Sequence, residues 1–392
     1  MMKSGLRPAP PKYQLVFENL RQEILSGQYR AGQKIPSEAH LEKRFGASRI
    51  TIGRAVRDLC HQGLVERRAG SGTFVRPTPP PPAATSSGLS FGLLIPDLGR
   101  TDIFEFICQG MAEAPHAQEH ALLWCNAAAI PSHLAAERAW QICQQHITRR
   151  VSGVFFAPLE EEATSAGGET MNRRILAAFK EARIPVVLLD RDAVPFPGRS
   201  DCDLVGLDNW RAGLVATNHL LDLGSTRPYF VCNNRRTASS VEERIAGFYA
   251  ALAARGLPCA PAQVQRLDVE DDHVLRHMIA EHRPEAIVCA NDRTAGRLMQ
   301  AALAQGLRIP QDLRIIGLDD IPYASLFSVP LTTLRQPCRE IGLAAMQTML
   351  ERLQQPDLPP RRITLEAALV VRQSCGTPLP SREEREFLVQ CG

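Results

Sequence analysis

Apolar positions follow two rhythms along this 392-residue chain, and the change of rhythm divides it. Up to about residue 76 the spacing is helical. Tyr13, Val16, Phe17, Leu20 and Ile24 mark one face of a first helix that Gly27 closes. Ile35-Pro36 leads to Ser37, placed to cap a second helix, with Glu38 in the first turn where the helix dipole favours an anion. Leu41 and Phe45 share a face of that helix, and Gly46 ends it. Ser48 caps a third helix, in which Ile52, Ala55, Val56, Leu59 and Cys60 recur at helical spacing as one stripe, with Gly63 past the last turn. Opposite the stripe lie Ile50, Arg54 and Arg57, with Arg49 and Thr51 near the helix start. Leu64–Arg68 and Thr73–Val75 then read as strands flanking Ala69-Gly70-Ser71-Gly72, a glycine-tipped hairpin with Arg67 and Arg68 at its base. Two helices joined by a short turn and followed by such a wing suit a DNA-reading head. A buried stripe backed by a basic, hydroxyl-bearing front is what a helix entering a major groove needs. The ordinary alternative is a surface helix with solvated arginines.

Residues 77–88 interrupt both rhythms. Pro77-Thr78-Pro79-Pro80-Pro81-Pro82 cannot continue a helix or a central strand, so an extended spacer with a Ser/Gly end is expected as a domain boundary. Beyond Gly88 the pattern becomes short apolar runs separated by helical stretches. The runs are Phe91–Ile95, Leu122–Cys125, Val154–Ala157, Val186–Leu189, Leu204–Leu207, Tyr229–Cys232, Ala286–Cys289 and Arg314–Leu318. Mostly branched or aromatic and spaced for crossover helices, they predict an α/β body of parallel sheets, split into two similar lobes. Asp and Asn follow the runs: Asp97, Asn126, Asp190, Asp208, Asn233, Asn291-Asp292 and Asp319-Asp320. Open parallel sheets bind ligands beyond the carboxyl ends of their strands, and a ring of fixed acceptors there suits a polyhydroxylated ligand. Each single Asp or Asn also has a plain role as turn or helix cap. Asp190, Asn291 and Asp319 taken together favour a site.

Charge sharpens the division. Residues 1–76 hold 14 Lys and Arg against 6 Asp and Glu, while the whole chain carries a formal charge of only +3. A basic head on a mildly acidic body is a phosphate-binding footprint. No apolar run approaches the roughly 18 residues that cross a bilayer, and the N-terminus shows no apolar signal region. The 11 cysteines stand singly, without a Cys-x-x-Cys pair, as small buried hydrophobes do in a reduced compartment. A cytoplasmic protein, associated with the bacterial nucleoid, is expected.

The head resembles the winged helix-turn-helix of the GntR family of bacterial regulators. The matching residues are Ile35-Pro36-Ser37-Glu38, then Phe45-Gly46-Ala47-Ser48-Arg49-Ile50-Thr51, then Gly63-Leu64-Val65 and Gly70-Ser71-Gly72-Thr73-Phe74-Val75. The resemblance implies DNA contact at Ser48, Arg49, Thr51 and Gly70. With the neighbouring Ser37, Glu38, Ile50, Arg54, Arg68 and Ser71 these form the expected DNA-binding set. The chain departs from the family's pattern at Ala39 and Gly53, where an arginine is common, and Arg54 is placed to take over part of that role.

The body is similar to the LacI family's effector domain, a periplasmic-sugar-binding-protein fold. The runs that carry this are Phe91-Gly-Leu-Leu-Ile-Pro-Asp97, Arg150-Val-Ser-Gly-Val154, Ile184-Pro-Val-Val-Leu-Leu-Asp190 and Arg244-Ile-Ala-Gly-Phe248. They continue with Cys289-Ala-Asn-Asp292, Ile316-Gly-Leu-Asp-Asp-Ile-Pro322, Pro330-Leu-Thr-Thr-Leu-Arg-Gln336 and Val370-Val-Arg372. The resemblance implies two lobes joined by three crossovers, a cleft for a small sugar-like effector, and a homodimer. By position it assigns Arg244, Asn291 and Asp319 to the effector, with Asp190 and Gln336 beside them and Asp97 and Ile103 on the first-strand side. Ile103 stands where the family commonly has an aromatic ring. Residues 160–168 read as a loop insertion.

The expected organisation is a head at 1–76, a linker at 77–88, a two-lobed body at 89–376 and a tail at 377–392. Enzyme readings find little support. No Walker loop, Gly-x-Gly-x-x-Gly or Gly-x-Ser-x-Gly is present. His273 and His277 lack the intervening glutamate of a metalloprotease helix. Lys180, the only lysine after residue 76, has no supporting motif for a Schiff base, and the adjacent Asp319 and Asp320 should point apart. The expectation is a sequence-specific DNA-binding regulator, without metal or cofactor, released from double-stranded operator DNA by the effector and without a membrane partner. The competing reading is a sugar-binding receptor or sugar-acting enzyme built on the body.

Overall fold

The computed structural model describes residues 16, 17, 19–21, 23, 29, 32–61, 65–68, 72–75, 88–95, 103–115, 117–124, 134–160, 170–233 and 238–378. It divides into two compact units, Met1–Ser87 and Gly88–Gly392.

In the first unit the helices Glu38–Phe45 and Arg49–His61 are followed by the antiparallel strands β1 (Val65–Arg68) and β2 (Gly72–Val75). The described positions between residues 16 and 23 are helical. Ser37 caps the first of these helices, accepting from the His40 amide at 3.3 Å, and Gly46 closes it at φ 56°, a left-handed conformation that favours glycine. Ile52, Ala55, Val56 and Leu59 are buried with Val16, Leu20, Ile35, Leu41, Val65 and Val75. The predicted stripe therefore is the seam of the head. Residues 33–35 pair with β2 through Ile35 N to Thr73 O at 3.0 Å, which adds a third extended segment to the wing.

The second unit contains two six-stranded sheets with the same winding. The first is built from β3 (Ser90–Leu94), β4 (Ala121–Trp124), β5 (Gly153–Phe156), β6 (Val186–Leu189), β7 (Asp203–Leu207) and β13 (Arg362–Leu365), in the order β13-β7-β6-β5-β3-β4. The second is built from β8 (Tyr229–Asn233), β9 (Val264–Leu267), β10 (Ala286–Cys289), β11 (Arg314–Asp319), β12 (Thr332–Arg335) and β14 (Ala368–Val370), in the order β14-β12-β11-β10-β8-β9. All pairings in these sheets are parallel except β12 with β14, so the expectation of purely parallel sheets is corrected at that edge. Each sheet is covered on both faces. Phe91, Phe104 and Phe155 fill one side of the first sheet, and Leu94, Phe156 and Phe179 fill the other. The second sheet divides in the same way between Val231, Ile287, Leu298 and Ile315 on one side and Phe230, Phe248, Val288 and Ile316 on the other.

The chain crosses between lobes three times, after β7, after β12 and after β13. Two of the crossings lead directly into long helices. Helix Asn209–Asp222 packs on Ser239–Ala254, where a methyl group on Gly247 would sit 1.9 Å from the Trp210 carbonyl and one on Gly213 2.0 Å from the Arg244 carbonyl. Helix Cys338–Gln354 packs on Ile103–Glu113 in the same way, through Gly342 and Gly110. Bare glycine backbones let each helix pair approach closely beside the crossovers.

Candidate effector cleft and DNA-facing helix

In both sheets the order reverses beside the first strand, at β3/β5 and β8/β10, which is where open parallel sheets leave a crevice at their carboxyl ends. Of the six described non-glycine residues with positive φ, three stand at such strand ends: Asp190 at 68°, Asp319 at 118° and Asp320 at 54°. Side chains rarely tolerate that conformation, and its concentration at one end of the sheets points to a site.

Asp190 is buried and accepts from Arg191 Nε at 3.0 Å through one oxygen; its Oδ1 is buried without a partner. Arg191 also reaches Glu160 at 2.5 Å, and its guanidinium lies 6.0 Å from the Phe104 ring centroid. From the other lobe, Arg244 is buried on its helix, giving Nε to Asn209 Oδ1 at 2.8 Å and Nη1 to the Ala290 carbonyl at 2.7 Å. Asp319 ends β11 and accepts from Gln336 Nε2 at 2.7 Å. Gln336, itself buried, has no partner for Oε1. Burial pushes the Asp319 carboxyl up to about 7, against the opposing pull of Arg244 and the Gln336 hydrogen bond, with Asp190 adding to the rise. Asp192, next along, ties the lobes together by accepting Ser239 Oγ at its carbonyl and donating its amide to the same oxygen at 2.8 Å. Arg362 on β13 makes a second cross-lobe contact with Glu243.

Ile103, Phe106, Asp319, Ile321, Gln336 and Cys338 line a cavity of about 470 Å³ beside the crossovers, inside the roughly 300–1,000 Å³ typical of small-molecule sites. Three of the seven expected effector residues, Ile103, Asp319 and Gln336, thus line one cavity. Asp190 and Arg244 are not on its lining but are close enough to act on Asp319 through space. Asn291 is not on that lining; its Oδ1 caps Asp292–Ala304 by accepting from the Thr294 amide at 2.9 Å. Asp97 lies outside the described residues. An exposed ring, Phe106, stands one turn beyond Ile103 on the same lining.

The expectation that Asp319 and Asp320 point apart matches the geometry, since Asp320 takes Arg335 and Arg372, each at 2.6 Å. The carboxylate that does face Asp319 is Asp292, fully buried and held by Thr333 Oγ1 at 2.6 Å and the Ile321 amide at 3.0 Å; burial, and then Asp319, push it well above the usual range. Sequence reasoning missed Asp292's partner, and also Arg191, Glu160, Asn209 and Ser239. The run Asp190-Arg191-Asp192 was the available signal, three consecutive charges directly after an all-apolar strand.

On the head, Ser48 Oγ lies 2.9 Å from Thr51 Oγ1 and 3.4 Å from the Thr51 amide, which makes it the helix cap. Arg49, Arg54 and Arg57 are exposed, opposite the buried stripe. Ser37 is exposed and Glu38 half-buried at the start of the preceding helix. Ile50 is within the helix and Arg68 within β1, while Gly70 and Ser71 lie outside the described residues. Ala39 is exposed, and a Cβ at Gly53 would meet nothing within 4 Å, so both positions that lack the family's arginine open to solvent. Among the described residues no helix is long and apolar enough to cross a membrane, and no group of three or more His, Cys, Asp or Glu is arranged to hold a metal ion.

Comparison with known proteins agrees with this geometry. The family model of the bacterial regulatory proteins of the gntR family matches residues 12–75, and that of the periplasmic binding protein-like domain matches residues 217–375. An arabinose metabolism transcriptional repressor of Geobacillus stearothermophilus is 28% identical, aligned over 88% of this chain and 92% of its own length. The HTH-type transcriptional repressor PurR of Vibrio vulnificus is 30% identical over 69% of this chain and 77% of that protein. A LacI-family transcriptional regulator of Enterococcus faecium, solved with bound ribose, superposes with a TM-score of 0.57 at 25% identity, covering 74% of this chain and 100% of that one. A basic winged helix-turn-helix of the gntR type joined to a two-lobed, periplasmic-binding-protein-like body makes the chain a DNA-binding transcription regulator that belongs with the PurR-type repressors in its LacI-type effector domain.

Proposed function

We propose that this regulator is a homodimeric repressor whose hold on operator DNA is released by a small sugar-like effector bound between the lobes. The observation that carries the reading is the pair of buried, unpartnered acceptors, Gln336 Oε1 on the lining of a cavity at the crossovers and Asp190 Oδ1 on a residue near enough to Asp319 of that lining to raise its carboxyl. An unmet buried acceptor costs about 1–3 kcal/mol, so a ligand bringing hydroxyl donors is favoured in the arrangement that lets it reach both. Asp190 belongs to one lobe, Asp319 to the other, and Gln336 to the crossover between them, so such a ligand biases lobe closure. Closure then changes how two heads are presented to half-sites about one helical turn apart.

The division proposed is a DNA-binding head at 1–76, a linker at 77–88, an effector and dimerisation body at 89–376 and a tail at 377–392. The proposed DNA contacts are Ser37, Glu38, Ser48, Arg49, Ile50, Thr51, Arg54, Arg68, Gly70 and Ser71. Asp190, Arg244, Asp319 and Gln336 form the core of the proposed effector site, with Ile103, Asp97 and Asn291 at its margins. The solvent-facing Tyr323 and Leu326, exposed by 44% and 81%, beside Phe327 on the second lobe, support a subunit contact there, since isolated bodies rarely leave large apolar side chains grouped at the surface. Catalysis is not part of the proposal, and the site of action is the bacterial cytoplasm, at the nucleoid. The arabinose named for the Geobacillus relative and the ribose in the Enterococcus structure support a monosaccharide-sized effector.

A thermal-shift screen of the intact protein against pentoses, hexoses, uronic acids and their oligomers tests the reading. At least one sugar should raise Tm in wild type and fail to do so in Gln336→Leu. A screen without any stabilising compound would overturn the sensor assignment.

A further inference from the structure

Resting on the effector reading above, we infer that the cleft selects an uncharged polyhydroxylated ligand and rejects its acid and phosphate derivatives. Charge and hydrogen-bonding capacity at the mouth and floor of the site both point this way.

The arginines around the cleft are already engaged by this chain's own acceptors. Arg244 is held by Asn209 and the Ala290 carbonyl, and Arg191 by Asp190 and Glu160. Arg335 is held by Asp320 at 2.6 Å, and Arg339 by Glu113. The cavity lining carries Arg335 and Arg339 against Asp319, Asp320, Glu340 and Glu366, an excess of carboxylates. Among the described residues, the two buried polar atoms left without partners at the cleft, Asp190 Oδ1 and Gln336 Oε1, are both acceptors. Because the Gln336 amide nitrogen is turned to Asp319, its carbonyl oxygen is the end offered to a ligand. A hydroxyl satisfies such an oxygen by donating; a carboxylate or phosphate only accepts, and would meet lone pairs with lone pairs.

The state of Asp319 agrees. Burial holds this carboxyl up near 7 although Arg244 pulls it down, so the floor of the site is a place where charge is poorly solvated. An anion brought into that place would raise it further, at the cost of the ligand's own affinity.

The test is calorimetric titration of the full-length protein with neutral aldopentoses and aldohexoses, each paired with its aldonate and its terminal phosphate. The neutral member of any binding pair should bind at least about tenfold more tightly, a difference of about 1.4 kcal/mol. Measured at pH 8, above the value of about 7 to which burial raises this carboxyl, Asp319→Asn should narrow that ratio by removing a negative charge while keeping a side chain of the same size. An aldonate or sugar phosphate that binds as tightly as its neutral partner would overturn the charge selection and leave the effector reading standing. A panel in which nothing binds would overturn both.

Discussion

Gln336 donates its amide to Asp319 at 2.7 Å, and this single hydrogen bond joins the end of a strand in one lobe to the crossover that leads back into the other. It also decides which end of Gln336 meets the cleft. A change at either residue should therefore alter both the response to ligand and the titration of the floor.

The titration gives a signed prediction. Asp319 is raised from 3.8 to about 7 in the folded protein, so between those values the native state holds a proton that the unfolded chain has lost. Stability from this group is full below its unfolded value and is lost as pH rises through about 7. Asp319→Asn cannot titrate. Its Tm relative to wild type should therefore move upward between pH 5 and pH 8, and an unchanged difference between the two would contradict the burial ascribed to this carboxyl.

Helix contact beside the crossovers is equally open to test. Gly247→Ala would place a methyl 1.9 Å from the Trp210 carbonyl, which is backbone and cannot rotate away. The helices must separate, at about 1–3 kcal/mol or more. Chemical denaturation should show the body unfolding at a lower midpoint, and a wild-type midpoint would mean that the helices do not cross this closely.

At Gly53 the opposite outcome is expected. A Cβ there meets nothing within 4 Å, the position is within helix Arg49–His61, and it faces away from the buried stripe. Gly53→Arg should strengthen the helix by about 1 kcal/mol and add a cation to the DNA face. Affinity for DNA should rise and the salt slope should steepen by about 1. Unchanged affinity and slope would place this side of the helix away from the groove.

Arg49→Ala tests the same face by removal. If Arg49 reads a base edge, discrimination among sequences falls by about 1–3 kcal/mol; if it holds a phosphate, affinity falls evenly and the salt slope drops by about 1. Unchanged affinity and slope in a shift assay would mean that the recognition helix is misplaced.

Much of this architecture is legible in the residues. Val186–Leu189 and Ala286–Cys289 are strands with the bounds that their apolar runs predict, and Ser37, Gly46 and Ser48 cap helices as their types suggest. The strands Val264–Leu267, Thr332–Arg335 and Arg362–Leu365 carry no such four-residue apolar run, and the sequence pattern passes over them, as it does over Ala368–Val370 within the run Ala367–Val371. Three of the four place polar side chains on partners elsewhere in the chain. Arg266 meets Glu242, Thr333 meets Asp292, and Arg362 meets Glu243. At the site, Asp190 and Asp319 are visible because charged residues stand at the ends of apolar runs, and Arg244 through the resemblance that Arg244-Ile-Ala-Gly-Phe248 carries. Glu160 opens the segment expected as a loop insertion, yet it holds Arg191, 31 residues away. Asn291 is a strand-end residue that also caps the following helix, accepting from the Thr294 amide at 2.9 Å. Local pattern predicts elements; which side chains meet depends on lobes folding against each other.

Sensing and DNA reading belong to separate units, and release of DNA by sugar reads both at once. A fluorescent duplex, selected by the protein itself from a random-sequence pool, is titrated in complex with a neutral sugar that raises Tm, and anisotropy reports the bound fraction. DNA should be released as the sugar saturates the wild-type protein, while Gln336→Leu should bind the duplex with unchanged affinity and not release it. Anisotropy that stays constant while the sugar saturates the wild-type body would contradict the coupling of cleft to operator.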